Sequence, residues 1–207
     1  MFTISLYQEI MKATFKALMV TALIVAILPV ELWAQNSKPR EIKGKRTEGK
    51  AENSTYVFVE QGDGFKVFNK ANVLMITESR FEEMRGYAGY APVKFSDKPK
   101  LDSLVYKIIA PYYMDFKSVK YSEDIHAFVM YLYSGLDRKI TEMSFFYDKE
   151  AKIPLKAIEK LEQQVLEVGL KLDFDANNDF FKGSTWVELG CPYSVAQMKE
   201  KLKEKKN

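Results

Sequence analysis

The segment DFDANNDFFKGS, residues 173–184, has the side-chain spacing closest to that of a metal site. Oxygen-bearing side chains occupy every second position at its start: Asp173, Asp175, Asn177 and Asp179. A calcium loop with this spacing also needs a glycine for its sharp turn and a closing bidentate glutamate, and the chain has Asn178 and Ser184 at those positions. We therefore expect an acidic turn between two strands, and calcium binding by residues 173–179 is left open.

The chain contains one cysteine, Cys191, and one histidine, His126. A Cys–His hydrolase would need these side chains in contact and a third group to orient the imidazole. The surroundings of Cys191, ELGCPYS, match no nucleophile signature, so we expect a small buried apolar residue there. A single histidine also argues against a zinc site of the usual ligand set. We assign no catalytic, cofactor-binding or metal-binding residue and expect no cofactor.

An uncharged apolar run, residues 17–30, lies near the start of the chain. A helix that spans a bilayer needs about 20 apolar residues, so this run of 14 is too short. Basic residues precede it, and the small residue Ala34 follows it at a suitable cleavage point. Residues 1–34 therefore predict a signal peptide, with Met11 the better start; a retained anchor is the alternative.

A cleavable signal peptide predicts a periplasmic or secreted protein that has no stable membrane span after the peptide is removed. With Cys191 as its only cysteine, an exported chain forms no internal disulfide and must be stabilised by packing. The net charge of +3, from 31 basic and 28 acidic side chains, lacks the clustered basic excess of nucleic-acid binders. We therefore expect no nucleic-acid partner.

Three regions follow from composition. Residues 1–34 form the signal peptide, and residues 35–53 are polar and mainly basic, which predicts a flexible linker because such a segment buries too little apolar surface to become ordered. Residues 54–207 are predicted to form a single α+β domain. A subdivision of this domain into residues 54–98 and 99–207 is left open.

Hydrophobic periodicity predicts the elements of this domain. Strands are expected at TYVFVE and FKVF, joined by a tight turn at residues 61–64, and at ANVLMIT, HAFVMYLY, KITEMSFFY, LKLDF and TWVELG. Helices are expected after the capping-box spacing at Ser79, over residues 101–109, from Pro154 to Gly169, and after Ser194. Together they predict an α+β fold: an antiparallel sheet built from hairpins, with two or three helices packed on one face.

The order helix, strand, strand, helix, strand over residues 101–190, with Gly135 in the turn, resembles the C-terminal domain of TonB-type proteins. That resemblance implies a partner of an outer-membrane transporter. The chain departs from the family in its linker, where Pro39 stands in place of a long proline-rich spacer. The general layout also resembles that of uncharacterised exported small proteins of Gram-negative bacteria, a domain of unknown function.

The tyrosines in expected loops or at a helix end offer contact area for recognition: Tyr87, Tyr90, Tyr112 and Tyr113. Their alternative role is packing in a core that has no disulfide. The leading hypothesis is an exported, non-catalytic domain that binds a protein or envelope component. The alternatives are an envelope or polysaccharide hydrolase with carboxylates assembled by the fold, and the TonB-like role.

Overall fold

The computed structural model of the chain describes residues 42–77, 93–95, 97–116 and 126–204, without the side chains of His126, Phe180 and Glu204. The strands are β1 (Arg46–Lys50), β2 (Thr55–Gln61), β3 (Gly64–Asn69), β4 (Lys94–Phe95), β5 (His126–Gly135), β6 (Ile140–Asp148), β7 (Leu172–Asp173) and β8 (Trp186–Ser194). The α-helices are α1 (Lys98–Ile108), α2 (Leu155–Val168) and α3 (Val195–Glu204). Short 3₁₀ helices lie at Leu74–Ile76, Ala110–Tyr113, Lys149–Ala151 and Asp179–Phe181. The predicted signal peptide and the helix after Ser79 lie outside the described residues.

Six of these strands form one antiparallel sheet in the order β1-β2-β3-β6-β5-β8, and β4 pairs with β7 in a separate two-stranded sheet. The predicted α+β fold with an antiparallel sheet built from hairpins is confirmed. Strand β3 pairs with β6 from Gly64 opposite Asp148 to Phe68 opposite Ser144. Residues 54–98 and 99–207 therefore contribute strands to the same sheet.

The prediction that residues 35–53 form a flexible linker is wrong in part, because strand β1 lies within this range. It pairs with β2 from Arg46 opposite Val59 to Lys50 opposite Thr55. Its four side chains are all exposed, and its fifth residue is Gly49, so backbone hydrogen bonds rather than apolar burial place it in the sheet. Apolar content alone does not reveal such a strand.

Helices α1 and α2 pack on the same face of the sheet. The strand registers place Tyr56 of β2 and Tyr193 of β8 on this face. The hydroxyl of Tyr56 donates to Glu162 of α2 at 2.5 Å, and the hydroxyl of Tyr193 donates to Asp102 of α1 at 2.8 Å. These bonds join buried tyrosines of the sheet to the helices above them.

The prediction that ANVLMIT, residues 71–77, forms a strand is wrong. The segment lies at the opposite face of the sheet. Its residues 74–76 form a 3₁₀ helix. The carboxylate of Glu142 in β6 accepts the backbone N–H groups of Val73, Leu74 and Met75 at 2.7, 2.9 and 3.3 Å. These donors would otherwise have no partner inside so short a helix, so the carboxylate stabilises the turn over the extended alternative.

Local signals in the sequence place the element ends. Gly169 ends α2 in the left-handed conformation, with φ of 66°. Ser194 and Gln197 form a reciprocal capping box at the start of α3, with bonds of 2.9 and 3.2 Å. Pro154 lies one residue before the first residue of α2 rather than inside it. The predictions at Gly169 and Ser194 succeed because each depends on neighbours in the chain.

Helix α2 holds the turn between β1 and β2 through Glu159. Its carboxylate accepts the backbone N–H groups of Glu52 and Asn53 at 3.0 and 2.9 Å. Burial works to raise the pKa of Glu159, but the hydrogen bonds from residues 52–54 outweigh it, and the pKa lies below the usual glutamate value. The ionised carboxylate is therefore the form that the fold stabilises.

The substitution Glu159→Gln is expected to lower the free energy of unfolding by about 1–3 kcal/mol at pH 7, because it removes charge-assisted hydrogen bonds. A lowered folded-state pKa means that the contribution is full above the unfolded glutamate pKa of about 4.3 and disappears as pH falls through the folded value. Urea titrations at several pH values measure this difference.

The matched control is Glu167→Gln, which changes an exposed glutamate of the same helix. We expect this variant to unfold as the unmodified chain does at every pH. A pH-independent difference between Glu159→Gln and the unmodified chain would contradict the role given to the carboxylate.

Candidate functional site

The β5–β8 register separates Cys191 from His126. His126 lies opposite Ser194, which is three positions along β8 from Cys191, so roughly 10 Å of strand separates the two positions. The side chain of Cys191 is 3% exposed. Burial, the largest cause, raises the pKa of its thiol to about 11. The strand positions and the burial of Cys191 both argue against a Cys–His hydrolase.

The Cys191 thiol is expected to react slowly with a thiol reagent such as Ellman's reagent in the native protein. A pKa of about 11 in place of 9.0 lowers the thiolate fraction at neutral pH about 100-fold, and burial blocks access further. The measurement compares second-order rates with and without guanidinium chloride at one pH. Equal rates in the two conditions would show an exposed thiol and contradict this assignment.

The acidic segment connects β7 to β8, as its flanks predicted. Asp175 accepts the backbone N–H of Asn177 at 3.0 Å, and the 3₁₀ helix Asp179–Phe181 follows. The ring centroids of Phe174 and Phe181 lie 4.8 Å apart beneath the loop. Within the described residues, no three His, Cys, Asp or Glu side chains lie close enough to share a metal ion. The segment is a turn folded over an aromatic pair.

The four tyrosines singled out for recognition differ in their surroundings. Tyr87 and Tyr90 lie outside the described residues. Tyr112 is 38% exposed, whereas Tyr113 is fully buried and donates its hydroxyl to the carbonyl of Ala127 at 2.9 Å. Of the described pair, Tyr112 is available to a partner and Tyr113 belongs to the core.

Buried or half-buried glutamates form hydrogen bonds within the fold. Glu142 binds the backbone of residues 73–75, and Glu159 binds that of residues 52 and 53. Glu162 accepts from Tyr56 and from Asn69, the latter at 3.2 Å. Burial raises the pKa of Glu162, against the hydrogen bonds that lower it. Each of these carboxylates binds a structural donor, which argues against their use as a hydrolytic acid–base pair.

A groove of about 450 Å³ lies between the edge of the sheet and the 3₁₀ helix Leu74–Ile76. Its apolar wall comes from four side chains: Ile42, Val57, Phe68 and Ile76. Polar side chains complete the lining: Arg46, Thr47, Glu48, Lys70 and Asn72. We call this surface the edge groove. It lies on the face of the sheet opposite α1 and α2.

Two large apolar side chains stand exposed at the 3₁₀ helix beside the edge groove. Val73 is 53% exposed and Ile76 is 36% exposed. The 3₁₀ turn produces this exposure, because it directs Met75 into the core and leaves its neighbours on the surface. Exposed apolar side chains beside an apolar groove are typical of a surface that binds another molecule.

Specific polar contacts hold the walls of the edge groove. The guanidinium of Arg46 donates to the carbonyl of Ile42 at 3.0 Å, and Lys70 forms an ion pair with Glu48 at 2.8 Å. The buried amide of Asn72 donates to the carbonyl of Met143 at 2.7 Å. These contacts tie residues before β1 and after β3 to the sheet, so the protein's own side chains hold the walls of the groove.

Two wrong expectations hid the edge groove at the level of sequence. Ile42 and Arg46 fall within the expected flexible linker, and residues 71–77 were expected to form a strand. One signal was present in the sequence: apolar Val73 and Ile76 are three positions apart, which suits one side of a turn better than alternate faces of a strand.

A comparison with solved structures finds proteins similar to this chain. One of them is a DUF5043 family protein from Bacteroides uniformis, 17% identical in sequence, with a TM-score of 0.48 over 76% of this chain and 90% of that chain. The name of that family states no ligand or activity. No protein-family model matches the chain, and no curated protein matches it.

Since no family model and no curated protein matches, the resemblance to TonB-type domains stays a prediction. Within the described part of the chain, no helix has both the length and the apolar character needed to cross a membrane. Function is therefore inferred from the geometry of this chain.

Proposed function

We propose that this protein is an exported, non-catalytic binding domain whose edge groove binds an extended segment of a partner protein. The observation that carries the proposal is the exposure of Val73 and Ile76 beside the apolar wall of the groove. An extended segment can place alternate apolar side chains in such a groove. The structural hydrogen bonds of Glu142, Glu159 and Glu162 support the non-catalytic part.

Strand β1 favours an extended occupant. It is the edge strand of the six-stranded sheet, and no described strand pairs with its outer side. Its residues Arg46 and Glu48 line the groove, so a segment added beside β1 would lie next to the apolar wall. Backbone hydrogen bonds to β1 would then supply affinity, and the groove would supply preference for apolar side chains.

Charge selects the kind of partner. Residues 43–50 contain Lys43, Lys45, Arg46 and Lys50, and Glu48 is paired with Lys70. A basic edge repels another copy of itself, which protects the chain against edge-to-edge association. The same charges attract a segment with acidic residues. The proposed occupant is therefore an extended, acidic segment of a different protein, with apolar side chains at alternate positions.

A peptide-display selection tests this function with a random peptide library in place of the unidentified partner. We expect recovered peptides to combine acidic residues with alternating apolar ones. The double substitution Val73→Asp and Ile76→Asp should weaken their binding at least ~10-fold in fluorescence anisotropy, about 1.4 kcal/mol, because it places charge beside the apolar wall. Both positions are exposed, so folding should be retained.

Leu166→Asp is the control for the peptide experiment, because Leu166 is 39% exposed on α2, on the other side of the sheet. This variant should bind the selected peptides with unchanged affinity. Peptides that bind the double variant as tightly as the unmodified chain would show that the edge groove is not their site.

Export is the second part of the proposal, and the sequence of residues 1–34 supports it. When the chain is expressed from Met1 or from Met11 in a Gram-negative host, mass spectrometry of the purified product should find a mature N-terminus at Gln35 in the periplasmic or secreted fraction. A product that keeps residues 17–30 in the cytosolic fraction would contradict export. A product that keeps them in the membrane fraction would support the retained anchor instead.

The two alternatives have their own tests. Co-purification with an outer-membrane transporter, abolished by substitutions within residues 101–190, would support the TonB-like role. Hydrolysis of an envelope polysaccharide by the purified chain, lost when a pair of carboxylates is replaced, would support the hydrolase.

A further inference from the structure

A second cleft, of about 550 Å³, lies among α1, α2, β7 and the turn between β5 and β6. We call it the charged cleft. Its lining includes the start of α1 at Asp97 and Lys100, the turn residues Asp137 and Arg138, and residues 168–173 from the end of α2 through β7. It shares no lining residue with the edge groove. Its volume is within the range of small-molecule sites.

The turn that carries Arg138 has an unusual residue at its left-handed position. Arg138 donates its backbone N–H to the carbonyl of Gly135 at 3.0 Å, which closes a turn over Leu136 and Asp137. Its own φ is 69°. A hairpin loop of this length usually has glycine at that position, because a side chain there is strained. The chain therefore keeps an arginine side chain at a position where glycine would make the turn more stable.

Strain of this kind is common at binding sites, where the side chain has a use that offsets the cost. The carbonyl of Arg138 accepts the backbone N–H of Leu172 at 3.0 Å, which fixes the turn against β7. That contact uses only the backbone and would survive a change to glycine. The backbone contacts of the turn therefore do not explain why an arginine side chain stands at position 138. Its position in the lining of the charged cleft suits a role in binding.

The charged side chains of the cleft differ in whether they already form a contact within the protein. Asp97 accepts the backbone N–H of Lys100 at 3.3 Å, and Asp137 accepts that of Lys139 at 3.2 Å. Neither the guanidinium of Arg138 nor the ammonium of Lys100 forms an ion pair with any residue that the structure describes.

The remaining carboxylate of the lining is Asp173. It lies opposite Lys94 in the β4–β7 pair, so another basic residue stands beside it. Arg138 and Lys100 are therefore two cations of the lining that pair with no carboxylate the structure describes. The lining also includes Asp97, Asp137, Asp173 and Lys171. A planar guanidinium binds the paired oxygens of a carboxylate or phosphate through two parallel hydrogen bonds.

We propose that the charged cleft binds a small ligand that carries an oxyanion, a carboxylate or a phosphate, with Arg138 as the main contact and Lys100 as the second. The apolar side chains of Val168, Leu170 and Leu172 at the same cleft contact the remainder of the ligand. This site is separate from the edge groove, and neither proposal depends on the other.

The test uses the full chain, with succinate and inorganic phosphate as probes in nuclear magnetic resonance titrations. We expect saturable shifts of the amide signals of residues 136–139 and 169–173 with at least one probe. Arg138→Gly should weaken binding of that probe at least ~10-fold, and Lys100→Gln should weaken it less. Succinate alone would identify a carboxylate ligand, and phosphate alone a phosphate ligand.

Thermal unfolding supplies a second readout that a purely structural arginine would not produce. Arg138→Gly should raise the midpoint of unfolding by about 2–4 °C, because the left-handed conformation costs glycine nothing. Arg138→Ala should lose binding without this increase, since alanine keeps the strain. Lys160→Gln, on the exposed surface of α2 outside both surfaces, should change neither binding nor stability.

Shifts that do not saturate with either probe, or equal binding by Arg138→Gly, would overturn the proposal. A lower midpoint in Arg138→Gly would also overturn it, because the side chain would then serve the fold. The double variant Val73→Asp and Ile76→Asp should bind the anions normally. The experiments therefore distinguish failure of the peptide-binding proposal for the edge groove from failure of the anion-binding proposal for the charged cleft.

Discussion

The carboxylate of Glu142 determines the shape of the proposed partner-binding surface. It binds the backbone N–H groups of residues 73–75 from the neighbouring strand β6. The 3₁₀ helix that results buries Met75 and exposes Val73 and Ile76. Without an acceptor at this place, the apolar run could continue as a strand and hide alternate side chains. One carboxylate thus places two apolar side chains at the surface beside the edge groove.

A similar arrangement holds the other side of the edge groove. Strand β1 has almost no apolar surface to bury, so its position depends on pairing with β2 and on the bonds that Glu159 makes to residues 52 and 53. Helix α2, on the opposite face of the sheet, thereby supports the edge at which the groove opens. An edge strand held in this way keeps its outer backbone groups available.

Elements whose stabilising contacts are close in the sequence were predicted, and elements that depend on distant residues were not. The β5–β6 hairpin, the α2 stripe with Gly169 and the Ser194 capping box depend on residues close in the chain, and they were predicted. Strand β1 pairs with the nearby β2 but has no apolar pattern, and the turn after it is held by Glu159, which is 107 residues from Glu52. The 3₁₀ helix Leu74–Ile76 depends on Glu142, which is 69 residues from Val73. No local pattern reveals such partners, so both elements and the groove between them were missed.

Two buried or half-buried glutamates, Glu142 and Glu159, bind backbone N–H groups and are oriented toward the chain rather than toward a cleft. For Glu159 these hydrogen bonds hold the pKa below the usual glutamate value, which favours the ionised form. The side chain of Arg138 differs, because its turn requires a left-handed backbone at that position but not an arginine. Under the two binding proposals, the cations that would contact a ligand are different side chains from the carboxylates that hold the fold, so a ligand would not have to displace a contact that maintains the structure.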